Sequence, residues 1–138
     1  MTPGNAPEPS SVEPSLVLHD LFSIADWQER IPWEPFAVGA EIYRLYGDGV
    51  SGPSAALIRF QPGGEVGWHE HAGYEHILVL HGGQRDENQS ARTGTLIINP
   101  PGTSHTVASE EGCIVLAIYE RPGRFDQPTT SCATVPPI

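Results

Sequence analysis

Residues 63–82 read GGEVGWHEHAGYEHILVLHG, and residues 94–109 read GTLIINPPGTSHTVAS. Between them they carry His69, His71, Glu75 and His105, punctuated by Gly63, Gly82, Gly94, Pro100 and Gly102. Three imidazoles and one carboxylate make a ligand set for a divalent transition metal. Residues two apart in a strand share a face and lie roughly 6.6 Å apart along it, so His69 and His71 can both turn inward onto one ion. Ala72-Gly73-Tyr74 reads as a short turn that returns Glu75 on the neighbouring strand. His105 lies far along the chain, so folding must bring it in.

Around this centre the pattern is β. Expected strands are Ala40 to Tyr46, Ala55 to Phe60, Glu65 to His71, Tyr74 to His81, Thr95 to Asn99, His105 to Ala108 and Cys113 to Glu120. Gly47-Asp48-Gly49, Pro62-Gly63-Gly64, Pro100-Pro101-Gly102 and Glu110-Glu111-Gly112 supply the turns. Gly82-Gly83 is expected to end the Tyr74 strand, with a short edge strand and turn inside the polar stretch 84–92. Many short strands with regular Gly and Pro punctuation mean an all-β sandwich or barrel. Strand alternation from an inward Glu75 turns Ile77, Val79 and His81 inward, and His76, Leu78 and Leu80 outward. That outward face is too apolar to stand in water, so an N-terminal arm or a second subunit should cover it, and a homodimer is expected.

The chain has 138 residues, room for one domain. Residues 1–14 hold four prolines and read as a disordered or loosely ordered tail; 15–34 form an arm with one helical turn near Ile24 to Trp27; 35–125 form the barrel; 126–138 form a second tail. No apolar run is long enough to span a bilayer and no signal-peptide pattern opens the chain, which reads as a cytoplasmic protein. The two cysteines, Cys113 and Cys132, read as free thiols, Cys113 packing as a small hydrophobe. The net charge is -10 and every basic residue is an arginine. The absence of lysine excludes Schiff-base chemistry by a side-chain amine. No basic stripe exists to follow a phosphate backbone, and an acidic membrane would repel the chain, so neither nucleic acid nor membrane is an expected partner.

The two motifs resemble those of the cupins. The first, G-x5-H-x-H-x3-E-x6-G, is met at every position by Gly63, His69, His71, Glu75 and Gly82. The second, G-x5-P-x-G-x2-H-x3-N, is met by Gly94, Pro100, Gly102 and His105, with Ser109 in place of the final asparagine. The segments EHILVLHGGQRDE, GTLIINPPGTSH and SEEGCIVLAIYERP are similar to the ChrR-like cupin group over roughly residues 35–125. The resemblance implies a jelly-roll β-barrel, or double-stranded sandwich, with one metal per domain. In the regulator that names the group, a separate N-terminal zinc-binding domain holds a sigma factor. Residues 1–34 contain no cysteine and only His19, so no such zinc site is expected there and an anti-sigma role is not expected to carry over.

The expected metal ligands are therefore His69, His71, Glu75 and His105, with zinc, iron(II), nickel or manganese all compatible. If Glu75 stays off the metal, it can act as a base toward a metal-bound water. Two functions remain open. One is a metal-dependent enzyme of dioxygenase type on a small organic substrate; the other is a small-molecule-sensing or regulatory module without catalysis. His76 is expected on the surface or at an interface, His81 near the barrel mouth, and Trp68 packed against the arm or a partner. Tyr43, Arg59, Arg85 and Tyr119 are candidates to reach an anionic substrate, although surface ion pairs and core packing suit each.

Overall fold

The computed structural model describes residues 12–125. The expected tail at 126–138, with Cys132, and most of the expected tail at 1–14 lie outside the described residues. Among the described residues ten strands, all antiparallel, form one sheet that curls over on itself. They are β1 (Glu34–Ala37), β2 (Ala40–Tyr46), β3 (Ser54–Phe60), β4 (Gly64–Glu70), β5 (Glu75–Arg85), β6 (Ser90–Arg92), β7 (Leu96–Asn99), β8 (Ser104–Ser109), β9 (Cys113–Tyr119) and β10 (Arg124–Phe125). Their order is β1-β2-β3-β9-β5-β8-β4-β10, with β6 and β7 also paired to β5.

The long β5 belongs to both leaves. Its first half pairs with β9 and β7, and its end pairs with β6 and β8. Gly82-Gly83 was expected to end this strand; instead the strand bends there and runs on to Arg85. Gly82 stands at φ 83, and a Cβ on it would strike the carbonyl of Gly112, so only glycine lets β5 and β9 stay together through the bend. A bulge between Val79 and His81 also breaks the expected alternation. Ile77 and Val79 point inward as expected, but Leu80 is buried, and His81 is exposed and does not line the cavity described below.

The inner face of the curl closes on Ile42, Ile58, Phe60, Val66, Ile77, Val79, Val107 and Val115. Cys113 is buried here, and burial pushes its thiol up to about 11, as suits a small hydrophobe rather than a nucleophile. A second cluster lies outside. The arm is a run of single turns, Leu21–Ser23, Ile24–Trp27 and Gln28–Arg30. It drives Ile24 and Ile31 onto Leu57, Leu80 and Ile114, with Trp27, Trp33, Tyr43 and Leu116 around them. The arm thus covers much of the apolar outer face. Leu96, Ile98 and Ile118 stay exposed, and so does Trp68, which is absent from the arm cluster.

Candidate metal centre

Three strand features aim the four side chains. β4 carries a bulge between Val66 and His69, so both residues face inward although alternation would oppose them. His69 is then the register partner of His105 on β8. His71, just past β4, is held by the turn before β8: its N–H donates to the Thr103 carbonyl, and its own carbonyl accepts from Gly102 N–H, both at 2.8 Å. Glu75 opens β5 opposite Asn99. All four are buried, and their ligand atoms lie within 4.8 Å of one another.

The far side of each imidazole fixes its tautomer. His69 Nδ1 lies 2.8 Å from the carbonyl of Gly67, which can only accept. His105 Nδ1 lies 2.9 Å from Asp86 Oδ2. Burial alone would raise the Asp86 carboxyl; its bonds to His105 and to the N–H groups of Asn88 and Gln89 outweigh that and hold it below the ordinary range, so it is ionised and accepts. His71 Nδ1 lies 2.9 Å from Thr103 Oγ1, whose own hydrogen is committed to the Pro100 carbonyl at 2.6 Å. All three rings therefore carry the proton on Nδ1, and all three Nε2 lone pairs face inward.

Those lone pairs meet nothing that neutral groups can satisfy. Nε2 of His69 and His105 stand 3.1 Å apart. His71 Nε2 stands 3.0 Å from Glu75 Oε1, yet it is the one buried side-chain nitrogen or oxygen among the described residues without a hydrogen-bond partner. Proximity suggests an ion pair there, but with Nδ1–H donated to Thr103 a neutral His71 offers Glu75 only a lone pair. Burial pushes Glu75 up, but a second proton on His71, carried at Nε2, together with the N–H of Asn99 at 2.9 Å, outweighs it and keeps the carboxyl below its ordinary range. Burial likewise holds His69 below the ordinary imidazole value, so it stays neutral. The donor set and its spacing fit a divalent metal, and without a cation the facing lone pairs are costly to bury.

A cavity of about 190 Å³ opens beside His69, Glu75 and His105. Its walls are mainly apolar, from Phe36 and Ile42 to Val107 and Val115, with Gln84, Tyr119, Ser54 and Arg44 as polar exceptions. Burial, then the Glu75 charge, pushes the Tyr119 phenol up, so it stays a neutral donor. Phe125 of β10 sets its ring 5.1 Å from that of His69.

Of the other residues singled out in the sequence, only Tyr119 reaches this cavity. Arg59 lies outside, paired with Glu29 and Glu41 and stacked on Trp33. Arg85 pairs with Glu110 at 2.8 Å, and Tyr43 packs with the arm. Ser109, where the motif has asparagine, is buried and donates from Oγ to the Gly83 carbonyl at 2.6 Å, tying β8 to the bend of β5. Asp86, Thr103, Asn99 and Arg44 were not anticipated. Only Asp86 left a trace: an acid opening a polar turn, where its Oδ1 accepts from Asn88 and Gln89. Glu87 beside it accepts from Thr106 N–H and Oγ1, fastening the same turn to β8.

The model of the ChrR cupin-like domain family matches residues 24–121. The anti-sigma-E factor ChrR of Cereibacter sphaeroides is 36% identical over 94 residues, 61% of this chain and 44% of that protein. The chain thus aligns with less than half the length of this relative. The crystal structure of Rhodobacter sphaeroides SigE in complex with the anti-sigma ChrR is matched with a TM-score of 0.59 at 26% identity, over 78% of this chain and 70% of that one. An RmlC-like cupin protein from Ralstonia eutropha JMP134 gives 0.62 at 24% identity, over 72% and 69% of the two chains. An acetylacetone dioxygenase from Acinetobacter johnsonii gives 0.66 at 14% identity, over 94% and 88%. At these last two identities the likeness is one of fold alone.

Proposed function

This chain belongs to the family of ChrR cupin-like domains, and on that premise we propose that it is a metal-dependent enzyme of dioxygenase type, acting on a small organic substrate in the cavity beside the metal. His69, His71, Glu75 and His105 hold one divalent metal. The observation that carries this reading is His71 Nε2, buried, without a hydrogen-bond partner among the described residues, and facing a carboxylate oxygen at 3.0 Å. When bound, a divalent transition metal supplies Lewis acidity there, and iron(II) adds reactivity toward dioxygen.

The chain's own residues do the rest. Gly67, Thr103 and Asp86 hold the three rings at Nδ1, so the donors do not reorganise when a ligand enters. The apolar wall keeps water away from the reacting atoms. The neutral Tyr119 hydroxyl donates a hydrogen bond to an oxygen of the substrate. A cavity of about 190 Å³ is smaller than the ~300–1,000 Å³ of drug-sized sites, which favours a small substrate.

The regulatory reading is favoured by a different observation, the 36% identity to an anti-sigma factor. Here the metal and cavity sense a small molecule without turnover. Elemental mass spectrometry of untagged protein and of His105→Ala comes first: stoichiometric metal, lost in the variant, supports the four-ligand centre. Iron-loaded protein given small diketones and catechols should then consume oxygen. Saturable binding without oxygen uptake across that panel would transfer the assignment to the sensing module. The homodimer is supported by the strip of Leu96, Ile98 and Ile118 left uncovered, and sedimentation tests it; a monomer at all concentrations refutes it.

A further inference from the structure

The cavity has two poles. One is the four-donor centre. The other lies across the sheet, where β2, β3 and β9 end. Glu75 of β5 is the register partner of Tyr119 on β9, and Tyr119 is the partner of Ser54 on β3. Strands stand about 4.8 Å apart, so this row carries polar groups over roughly 10 Å of wall away from Glu75. The next inward row, Ile77, Ala117 and Ala56, is apolar and ends on β2 at Arg44, an exposed residue and the only arginine lining the cavity among the described residues.

The exposed Arg44 packs its guanidinium against a glycine. Gly49 in the β2–β3 turn also lines the cavity, and a Cβ on it would strike the Arg44 guanidinium. Among the described residues no carboxylate pairs with Arg44. Asp48 feels its charge but uses Oδ1 to accept from Val50 and Ser51 N–H. Arg59, Arg85, Arg92 and Arg124, by contrast, each hold a carboxylate. Ser54, Gln84 and Tyr119 line the cavity and spend no side-chain polar atom on a hydrogen bond within the described chain; unlike His71 Nε2, these atoms are not sealed in the packing. Polar atoms open to a cavity and without partners in the chain are available to a ligand.

We infer that the cavity takes a short organic acid held between the two poles, an oxygen function on the metal and a carboxylate on Arg44, with Tyr119, Ser54 and Gln84 along its length. The inference deepens the metal-centre reading and rests on it. A guanidinium fork matches a carboxylate in two parallel hydrogen bonds, which a neutral ligand end cannot make. A cavity of about 190 Å³ suits a short ligand rather than a drug-sized one. The apolar wall between the poles suits a hydrocarbon middle.

The test uses the full chain loaded with cobalt(II), with stoichiometric loading established first by elemental analysis. Glutarate and pentanoate are the probes: the same carbon chain, with and without the second carboxylate. Calorimetry should show glutarate binding about tenfold tighter or more, with a shift in the visible cobalt spectrum. Arg44→Gln should erase that advantage while metal content stays unchanged, and Arg44→Lys should keep part of it. Equal affinities in the unaltered protein, an advantage that survives in Arg44→Gln, or no binding of either acid to loaded protein would each overturn the inference. Failure to load cobalt overturns the metal centre itself, and the two-pole site falls with it.

Discussion

At the scale of single residues, the chemistry depends on where three protons sit. Gly67, Thr103 and Asp86 each take the Nδ1–H of one imidazole, leaving every Nε2 free for a metal. Of the three acceptors, only Asp86 carries charge, so it also makes His105 a stronger donor. Asp86→Ala should weaken metal binding about 10- to 100-fold, read by chelator competition, with the fold unchanged by circular dichroism. Unchanged affinity would mean that the carboxylate only shapes its turn. The four donors were legible because their spacing is local: two on one strand, a third after a short turn, a fourth in a second motif. Asp86, Asn99 and Thr103 were not, because their roles depend on which loop packs behind which ring. A polar residue in a turn looks the same in sequence whether it faces solvent or an imidazole.

Among elements, the arm and the bend in β5 carry most of what the strand pattern left open. Ile24 is fully buried on the outer face of the sheet although it belongs to a helix of one turn. Ile24→Ala should cost about 2–5 kcal/mol in urea denaturation while metal affinity stays the same, since the arm touches the opposite face from the donors. Gly82→Ala forces a side chain into φ 83 and against the Gly112 carbonyl; it should cost at least about 1–3 kcal/mol and loosen the β5–β9 pairing. A stability equal to the unaltered protein would show that β5 can bend elsewhere. The error at Gly82-Gly83 is instructive: a glycine pair is a turn signal in isolation, but in a curled sheet it is also what lets one strand serve both leaves. The bulge after Val79 escaped for the same reason, because alternation has no term for an inserted residue.

For the molecule as a whole, stability and metal should be linked. Metal binds the folded donor set and not the separated side chains, so a chelator should lower the melting temperature by roughly 10 °C or more if metal exceeds its dissociation constant about 1,000-fold. A negligible shift would mean weak binding or a barrel indifferent to its metal. Acid should act in the same direction. The folded state holds His69 below its ordinary value of 6.5, so the unfolded chain takes up this proton first as pH falls. Stability of the metal-free protein from this group is full above about pH 6.5 and is lost as pH drops through the depressed value. Glu75 and Asp86, held below their ordinary values of 4.5 and 3.8, extend the loss at lower pH. Urea midpoints measured from about pH 7.5 down to pH 4 should therefore fall monotonically; a rise toward acid would show that the imidazoles gain, not lose, protons on folding.

The sequence by itself determined the class of fold, the four candidate donors and the family, since strand periodicity, turn residues and the intervals between histidines are all written over short distances along the chain. Tertiary structure alone decided the tautomers, the cavity and its second pole. Arg44 reads as one more surface charge until the register of β2, β3 and β9 places it on the same wall as Tyr119 and Glu75, residues far from it in sequence. Local order follows from neighbours in the chain. A binding site follows from neighbours across the sheet, and those are set by how strands pair and where the sheet bends.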